Sequence, residues 1–250
     1  MVSVVIPTYN EKDGIRELVE AIFAQTRGAG IDAEVVIVDD NSPDGTGQAA
    51  EDLKLHYPVQ VVHRAGKLGL SSAVIDGWKA ARGEIVGVMD ADLSHDPAAI
   101  PALVRAIEND GCQLAVGSRY TSGGGIKQWP LARLIISKTA VWMASPLTPI
   151  RDITSGYFFV RREVVDGVQL NPIGFKIGLE TFVKGRYRTF IEVPYTFTNR
   201  VAGKSKLGLG EIWLYLVQLA DLIRYRLTNG AVERVRVEPS NETPATASTR

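Results

Sequence analysis

Two aspartates separated by one residue, Asp90 and Asp92, form the stretch of this sequence best suited to chemistry. Residues 84–89, just before them, are an almost continuous apolar run, which is typical of a strand buried on both faces of a parallel sheet. Asp96 and Pro97 then mark a helix start, with an N-cap followed by proline at the first helical position. Residues two apart in extended chain point to the same side, and carboxylates held so close repel each other unless a cation intervenes. The sequence therefore predicts a site for Mg²⁺ or Mn²⁺, which prefer oxygen ligands.

The pattern of the first 120 or so residues indicates what positions these aspartates. Apolar runs and amphipathic stretches alternate as β-α-β-α-β-α-β-α-β, which predicts a three-layer α/β fold with a mostly parallel central sheet. An Asp-x-Asp alone is equally compatible with a solvated loop that caps the next helix. Open α/β sheets, however, bind ligands beyond the carboxyl ends of their strands. Four polar loops follow strands here, at residues 7–11, 39–42, 90–94 and 117–119. Their joint occurrence favours a binding site.

Composition excludes several classes of protein. The 28 Lys and Arg residues equal the 28 Asp and Glu residues, so no basic surplus indicates a nucleic-acid partner. Cys112 is the only cysteine, which excludes an intrachain disulfide and fits a reducing compartment. No signal-peptide pattern precedes the first strand, and no run reaches the ~20 apolar residues of a spanning helix. We therefore expect a cytoplasmic protein, soluble or peripheral on the cytoplasmic face of a membrane.

The sequence changes character after Arg119. Residues 129–150 are apolar but interrupted by prolines, and Trp129 and Trp142 lie within them. Tryptophans beside a few basic residues suit a membrane interface, although burial in the core is the alternative. A second, largely apolar helix is predicted over residues 211–227.

These segments define the expected domain organisation. Residues 1–230 are predicted to form one catalytic domain, with C-terminal amphipathic interface helices at about 127–147 and 210–228. Residues 231–250 are rich in Thr, Ser, Pro and Ala, and we expect them to be disordered.

A few residues outside the polar loops are predicted to have only structural roles. Gly83 is expected to end a helix over residues 69–82 as a C-terminal cap. Asp152 and Glu180 are expected to be solvated or to cap helices. His95 is expected to be a surface or packing residue rather than a metal ligand.

Nine different short motifs follow one another along most of the chain. They are residues 4–11 (VVIPTYNE), 38–44 (VDDNSPD), 69–73 (GLSSA), 89–95 (MDADLSH), 117–120 (GSRY), 136–138 (ISK), 155–158 (SGYF), 171–177 (NPIGFKI) and 205–207 (SKL). Together they closely resemble the inverting family 2 glycosyltransferases, and among these the dolichyl- (polyprenyl-) phosphate mannose synthases. The resemblance implies an A-type glycosyltransferase, Rossmann-like fold, with GDP-mannose as donor and dolichyl or polyprenyl phosphate as acceptor.

The resemblance also assigns site residues. It places donor contacts on Pro7, Tyr9, Glu11, Asp39, Asp90, Ala91, Asp92, Arg200 and Lys206, the last two on the donor phosphates. It places acceptor-phosphate contacts on Arg119, Arg133 and Ser137. It places the metal on Asp90 and Asp92, with Ser94 standing where some relatives carry a glutamine ligand. The residues expected to carry catalysis are Asp92, Arg119 and Arg133.

The chemistry expected of such a site is a single displacement at the anomeric carbon, which converts an α-linked donor into β-linked mannose. A divalent metal, with Arg200 and Lys206, would neutralise the leaving diphosphate. A phosphate monoester, with a second pKa near ~6, is already mostly a dianion at neutral pH. Such a nucleophile needs positioning by arginines more than it needs a general base.

Two alternatives remain at this point. One is a family 2 transferase that uses UDP-glucose or UDP-N-acetylglucosamine with a lipid-phosphate acceptor. The other is a non-catalytic membrane scaffold that has kept the nucleotide fold. The expected partners are a membrane surface and a possible separate membrane-anchoring protein, with no nucleic acid.

Overall fold

Strands and helices alternate through the first half of the chain in the computed structural model, which describes residues 1–127, 129–198 and 208–238. The elements there are β1 (Val2–Thr8), α1 (Lys12–Gly28), β2 (Ala33–Asp39), α2 (Thr46–Leu53), β3 (Val59–His63), α3 (Leu70–Ala80), β4 (Ile85–Val88), α4 (Ile100–Glu108) and β5 (Leu114–Ser118). The elements that follow are β6 (Gly125–Ile126), α5 (Leu131–Ala144), β7 (Phe158–Arg161), α6 (Ile177–Lys184), β8 (Thr189–Pro194), β9 (Thr196–Phe197), α7 (Leu209–Asn229) and β10 (Val235–Arg236).

Eight of these strands form one sheet in the order β10-β8-β5-β7-β4-β1-β2-β3. Only β7 runs antiparallel to its neighbours, β4 and β5, and the other pairings are parallel. The strands β6 and β9 form a separate two-stranded ribbon. The predicted fold class, a three-layer α/β fold with a mostly parallel sheet, is confirmed. The strands β1, β2, β4 and β5 point the same way, so their carboxyl ends lie at one edge.

Each face of the sheet carries its own apolar layer. Alternate residues of a strand point to opposite faces, so Val4 and Ile6 pack with α1, α2 and α4. Val5 packs on the other face with α3, α6 and part of α7. All seven residues of β2 are buried, as expected for a strand covered on both faces.

The end of α3 differs from the prediction. The helix ends at Ala80, and Ala81 follows it in an extended conformation, with φ −62° and ψ 143°. Gly83 is required for a different reason, because a Cβ at that position would lie only 2.7 Å from the backbone nitrogen of Ser3. This glycine permits close approach to β1 rather than capping the helix.

The expected disordered tail is wrong for its first residues. Val235 and Arg236 add a parallel edge strand to β8, with the Val235 nitrogen donating to the Arg188 carbonyl at 2.7 Å. Residues 239–250 lie outside the described residues.

Glu34, on β2, is a buried carboxylate that joins three segments. It accepts hydrogen bonds from Ser3 Oγ at 2.7 Å, from Gln60 Nε2 at 2.8 Å, and from Arg82 through its backbone nitrogen at 2.7 Å and its guanidinium at 2.6 Å. Burial alone would raise the pKa of Glu34, but these donors lower it below the ordinary 4.5. A lowered pKa stabilises the folded state above the ordinary value, and this contribution is lost as the pH falls below it.

We therefore predict that Glu34→Gln destabilises the protein by about 1–3 kcal/mol at pH 7, because buried donors lose a charged acceptor. The difference from the wild type should shrink as the pH falls below the ordinary carboxyl pKa of 4.5, where this contribution is lost. Urea unfolding at each pH measures it, and Glu17→Gln, at an exposed position of α1, is the control. An equal effect at pH 7 and at low pH would contradict the assignment.

Candidate active site

The loops after β1 and β2 are hydrogen-bonded to each other. The Asp40 nitrogen donates to the Thr8 carbonyl at 3.0 Å, and the Asn10 nitrogen donates to Ser42 Oγ at 3.0 Å. Ser42 in turn donates to the buried Asp39 carboxylate through its backbone nitrogen, at 3.1 Å, and through its hydroxyl. Asn10 has a φ of 60°, a left-handed conformation that asparagine tolerates better than most residues. The carboxylate of Asp39 is therefore held in a fixed orientation at the sheet edge.

The predicted donor residues of the first loop lie on the same rim. Pro7, Tyr9 and Glu11 are all partly exposed, and the Glu11 backbone nitrogen donates to Thr46 Oγ1 at 2.9 Å. The Lys67 ammonium lies 4.1 Å from the centroid of the Tyr9 ring. Sequence reasoning missed Lys67, which lies outside every motif.

The loop after β4 presents the two aspartates to solvent around a buried residue. Ala91 is buried, whereas Asp90 and Asp92 are partly exposed. The Ser94 nitrogen donates to Asp92 Oδ1 at 3.1 Å, and Leu93 between them has a left-handed φ of 58°. The loop thus curls so that the side chains of residues 90, 92 and 94 belong to one turn.

The donor set of this turn suits a hard divalent cation. The Ser94 hydroxyl is buried and has no hydrogen-bond partner in the described part of the chain, so its oxygen is available as a third ligand. No cluster of three or more His, Cys, Asp or Glu side chains able to hold a metal occurs within residues 1–127, 129–198 and 208–238. The ligands available here are therefore two carboxylates and a hydroxyl, which fit Mg²⁺ or Mn²⁺ better than a softer metal.

His95 packs beneath this turn, in line with its predicted role. The Asp90 nitrogen donates to His95 Nδ1 at 3.1 Å, so the neutral ring carries its proton on Nε2, 3.9 Å from Asp90 Oδ2. The ring stacks on Tyr157 with centroids 4.9 Å apart. Burial lowers the pKa of His95, against the opposing charges of Asp90 and Asp92. A neutral imidazole therefore fixes the backbone of the aspartate loop.

Arg119, at the end of β5, is bound to Asp152 by two parallel contacts. Its Nε and Nη2 donate to the two carboxylate oxygens at 2.8 and 2.6 Å, and its backbone nitrogen donates to Oδ2 at 2.8 Å. Burial alone would lower the pKa of Arg119, but the charge and hydrogen bonds of Asp152 raise it above its ordinary value. The expectation that Asp152 is solvated or a helix cap is wrong, since its exposed fraction is 0%.

The remaining predicted acceptor residues, Arg133 and Ser137, lie close to two aromatic residues near Arg119, namely Trp129 and Tyr120. The Arg133 guanidinium lies 4.3 Å from the Trp129 ring centroid, and the Arg119 guanidinium lies 5.5 Å from the same ring. The hydroxyls of Tyr120 and Ser137 are 3.1 Å apart. Trp129 thus lies beside both guanidiniums, half-buried against the core, and Arg119, Arg133 and Trp129 together are called the arginine site below.

Glu192, on β8, is hydrogen-bonded to the loop that carries Asp152. It is buried and accepts hydrogen bonds from Ser118 Oγ at 3.0 Å and from the Asp152 nitrogen at 3.0 Å. Arg236, on the edge strand β10, forms an ion pair with the second oxygen of Glu192. The strand β10 therefore balances the buried charge of Glu192, which contacts the loop that carries Asp152.

The prediction for Glu180 is also wrong. Its side chain is buried and pairs with Lys184 at 2.7 Å, while the Asn171 nitrogen donates to it at 2.5 Å. Lys184 also reaches Asp221 at 3.0 Å. This network joins α6 to α7.

The structure brings most of the predicted site residues to one edge of the sheet. They are Pro7, Tyr9, Glu11, Asp39, Asp90, Ala91, Asp92, Ser94, Arg119, Arg133 and Ser137. The other two, Arg200 and Lys206, lie outside the described residues.

The helices α5 and α7 leave large apolar side chains uncovered. Trp142 is 75% exposed and Trp213 is 66% exposed, and Tyr215 joins the helices by donating to the Ala140 carbonyl at 2.6 Å. In the described part of the chain, no helix has the length and apolar content to cross a membrane.

The sheet topology, with polar loops at one edge, is that of an A-type glycosyltransferase fold, and comparison with known proteins agrees. Residues 3–168 match the family described as Glycosyl transferase family 2, to which the chain belongs. It is thus a glycosyltransferase. Its fold is similar to that of glucosyl-3-phosphoglycerate synthase from Mycobacterium tuberculosis, crystallised with Mn²⁺, UDP and glucosyl-3-phosphoglycerate. The TM-score is 0.63 at 20% identity, covering 90% of this chain and 79% of that one.

Its curated relatives include enzymes named for mannose transfer to lipid phosphates. The dolichol-phosphate mannosyltransferase of Pyrococcus furiosus is 46% identical over 238 residues, covering 94% of this chain and 66% of that protein. This chain thus spans just under two thirds of that relative's length. The polyprenol monophosphomannose synthase of Mycolicibacterium smegmatis is 40% identical over 237 residues, covering 90% of this chain and 88% of that protein.

Proposed function

We propose that this protein transfers mannose from GDP-mannose to the phosphate of a dolichyl or polyprenyl phosphate, inverting the anomeric carbon to give the β-linked product. The observation that carries the proposal is the placement of Arg119 and Arg133 around Trp129, at the sheet edge that also holds Asp90 and Asp92. An arginine cluster beside a carboxylate turn suits a phosphate acceptor next to a diphosphate donor. The names of the relatives from Pyrococcus and Mycolicibacterium support the same substrate class.

The donor side would use a Mg²⁺ or Mn²⁺ ion held by Asp90, Asp92 and Ser94. A bound cation of this kind offsets the negative charge that develops on the leaving diphosphate. The chain's own contribution is to hold the two carboxylates in one turn, through the Ser94 bond to Asp92 and the His95 bond to Asp90. Pro7, Tyr9, Glu11 and Asp39 would bind the nucleoside, and Arg200 and Lys206 the donor phosphates.

On the acceptor side, no general base is required. His95 is buried with Nδ1 already accepting a hydrogen bond, and Asp152 is committed to Arg119. A phosphate monoester brings its own negative charge at neutral pH. Arg119, Arg133 and Ser137 would therefore act by orienting the phosphate oxygen towards the anomeric carbon.

The exposed faces of α5 and α7 would lie along the cytoplasmic surface of a membrane. The acceptor's hydrocarbon tail resides in the bilayer, and Trp142 and Trp213 are amphipathic side chains of the kind found at membrane interfaces. Glu211 and Asp221 bound an uncharged stretch of α7 that is too short to span, since spanning takes ~20 apolar residues. A peripheral position would place the arginine site next to the lipid headgroups.

The first test of the proposal compares acceptors with a single donor. We expect turnover of GDP-mannose with a short polyprenyl phosphate, and a rate at least about a hundredfold lower with the matching polyprenol, since we assign no general base among the described residues of the site. Mass spectrometry of the lipid product measures both rates, and NMR of the anomeric centre reports the configuration. UDP-glucose and UDP-N-acetylglucosamine serve as donor controls. Equal rates for phosphate and polyprenol would overturn the acceptor assignment, and preference for a UDP-sugar would overturn the donor.

The membrane proposal predicts flotation with liposomes at low salt and only partial release at high salt, because apolar burial contributes to the binding. Replacing Trp142 and Trp213 together by serine should abolish most of the flotation. Leu55→Ser is the matched control, because Leu55 is also highly exposed but follows α2. Failure of the wild-type protein to float would contradict the proposal, as would an equal loss in the control.

A further inference from the structure

Lys176 directly precedes α6, and its backbone is held in place by neighbouring segments. It lies within the motif at residues 171–177, but the sequence alone assigned it no role. Its carbonyl accepts hydrogen bonds from Gln218 Nε2 of α7 at 3.2 Å and from the Glu180 nitrogen at 3.4 Å. Two residues on, a Cβ at Gly178 would lie 2.4 Å from the Ser155 carbonyl. The start of α6 therefore presses against the loop that carries Asp152, and the backbone of Lys176 is fixed beside the arginine site.

The charged groups that act on the Lys176 ammonium are those of the proposed site. They come from the ends of β4 and β5, from the loop that precedes β7, and from α5: Asp90, Arg119, Asp152 and Arg133. In the described part of the chain, no carboxylate forms an ion pair with Lys176, and its ammonium lies 5.0 Å from the centroid of the Phe175 ring. Lys184, one helix further on, differs because it is paired with two carboxylates. A structural ion pair therefore does not account for Lys176.

The charge balance of the site supplies a reason for this lysine. Asp152 neutralises Arg119 through two hydrogen bonds. Arg119 could therefore orient a bound phosphate, but it adds little net positive charge to the site. A phosphate dianion entering the site therefore needs a further positive charge, and Lys176 is a described cation beside the site that the proposed function does not yet use.

We infer that Lys176 is a further acceptor-binding residue, whose ammonium pairs with the phosphate of the lipid acceptor. The inference rests on the proposed function and extends its acceptor site. Burial and the nearby Arg119 lower the pKa of Lys176 to about 8, which leaves most of the side chain charged at neutral pH. An ammonium acts as a point charge and needs no planar fork, so Lys176 complements the oriented guanidinium of Arg119.

The test is Lys176→Met, with Lys176→Arg as the charge-retaining variant. We expect Lys176→Met to lower kcat/KM for a short polyprenyl phosphate at least about tenfold, with the KM for GDP-mannose within about twofold of the wild type. Lys176→Arg should recover part of the loss. Lys79→Met removes an exposed lysine of α3 and should change neither constant. The melting temperature of Lys176→Met should not fall, since no ion pair is lost.

A second measurement separates this inference from the proposed function. Isothermal titration of short polyprenyl phosphate into the protein, without donor, should give weaker binding to Lys176→Met than to the wild type. If the wild type transfers mannose but Lys176→Met keeps its acceptor kcat/KM, the inference is wrong and the function stands. If the wild type shows no transfer, the proposed function fails, and unchanged phosphate binding by the variant would overturn the inference as well. A rise in donor KM alone would assign Lys176 to the donor instead and would also overturn it.

Discussion

Replacing Asp92 with asparagine should leave the fold intact and remove most of the turnover. The side chain is partly exposed in a loop, and its Oδ1 accepts the Ser94 backbone N–H, a bond that an amide oxygen preserves. The change removes one of two negative charges proposed to hold the divalent cation. We expect the rate at saturating metal to fall more than tenfold, which corresponds to about 1.4 kcal/mol of transition-state stabilisation.

Two measurements test the Asp92→Asn prediction, one of the reaction rate and one of metal binding. Initial rates over a Mn²⁺ titration should show both a lower plateau and a higher half-saturating concentration. Direct Mn²⁺ binding, followed by electron paramagnetic resonance, should weaken in parallel. Asp13→Asn, in the first turn of α1 and exposed, should behave as the wild type. A variant at Asp92 that retains more than a tenth of the rate would show that the metal assignment is wrong.

The second large effect is expected at Asp152. Changing it to alanine leaves the Arg119 guanidinium buried without its carboxylate partner, and breaking a buried ion pair from one side typically costs about 3–5 kcal/mol. The arginine should also lose its orientation, so we expect the acceptor kcat/KM to fall by about two orders of magnitude. Urea unfolding and steady-state kinetics measure the two losses separately.

A double variant distinguishes a loss of folding from a loss of function. Arg119→Met combined with Asp152→Leu removes both charges, and apolar replacement of a buried pair is often neutral for stability. We expect the double variant to recover most of the unfolding free energy but none of the transfer activity. Recovery of turnover would mean that Arg119 takes no part in acceptor binding and that its pairing is purely structural.

The parts of the site that the sequence predicted are those defined by local signals. The apolar run before Asp90 and the Asp96-Pro97 helix start are encoded within a few residues, and the structure bears out the cap, with Asp96 Oδ1 accepting the Ala98 nitrogen at 2.9 Å. The parallel order of strands follows from the alternation of elements. These local sequence patterns were sufficient to predict that four loops meet at one edge of the sheet.

The parts that could not be predicted depend on partners far apart in the chain. Asp152 and Arg119 are separated by 33 positions, and nothing in the residues around Asp152 indicates that a guanidinium folds against it. Gly83 is placed by its approach to Ser3 across the sheet, although its sequence context is that of a helix cap. Lys176 depends on the packing of α6 and α7 together, which no local periodicity specifies.

The two-residue strand β10 shows why composition misled at the C-terminal side. Residues 239–250 are rich in small polar residues, but residues 231–238 contain three valines among charged residues, and Arg236 is held there by the buried Glu192. A short edge strand that is held by this ion pair and by its pairing with β8 is too small to register in a composition averaged over residues 231–250.

That ion pair also bears on the order in which the protein matures on the ribosome. The strands β1, β2 and β4 are synthesised early, but β7, which pairs with β4, and Tyr157, which stacks on His95 beneath the aspartate turn, come later. The support behind Asp152 is completed only when residue 236 has left the exit tunnel, long after Arg119 has emerged. Both the packing beneath the aspartate turn and the support behind Asp152 therefore depend on residues that are synthesised in the second half of the chain.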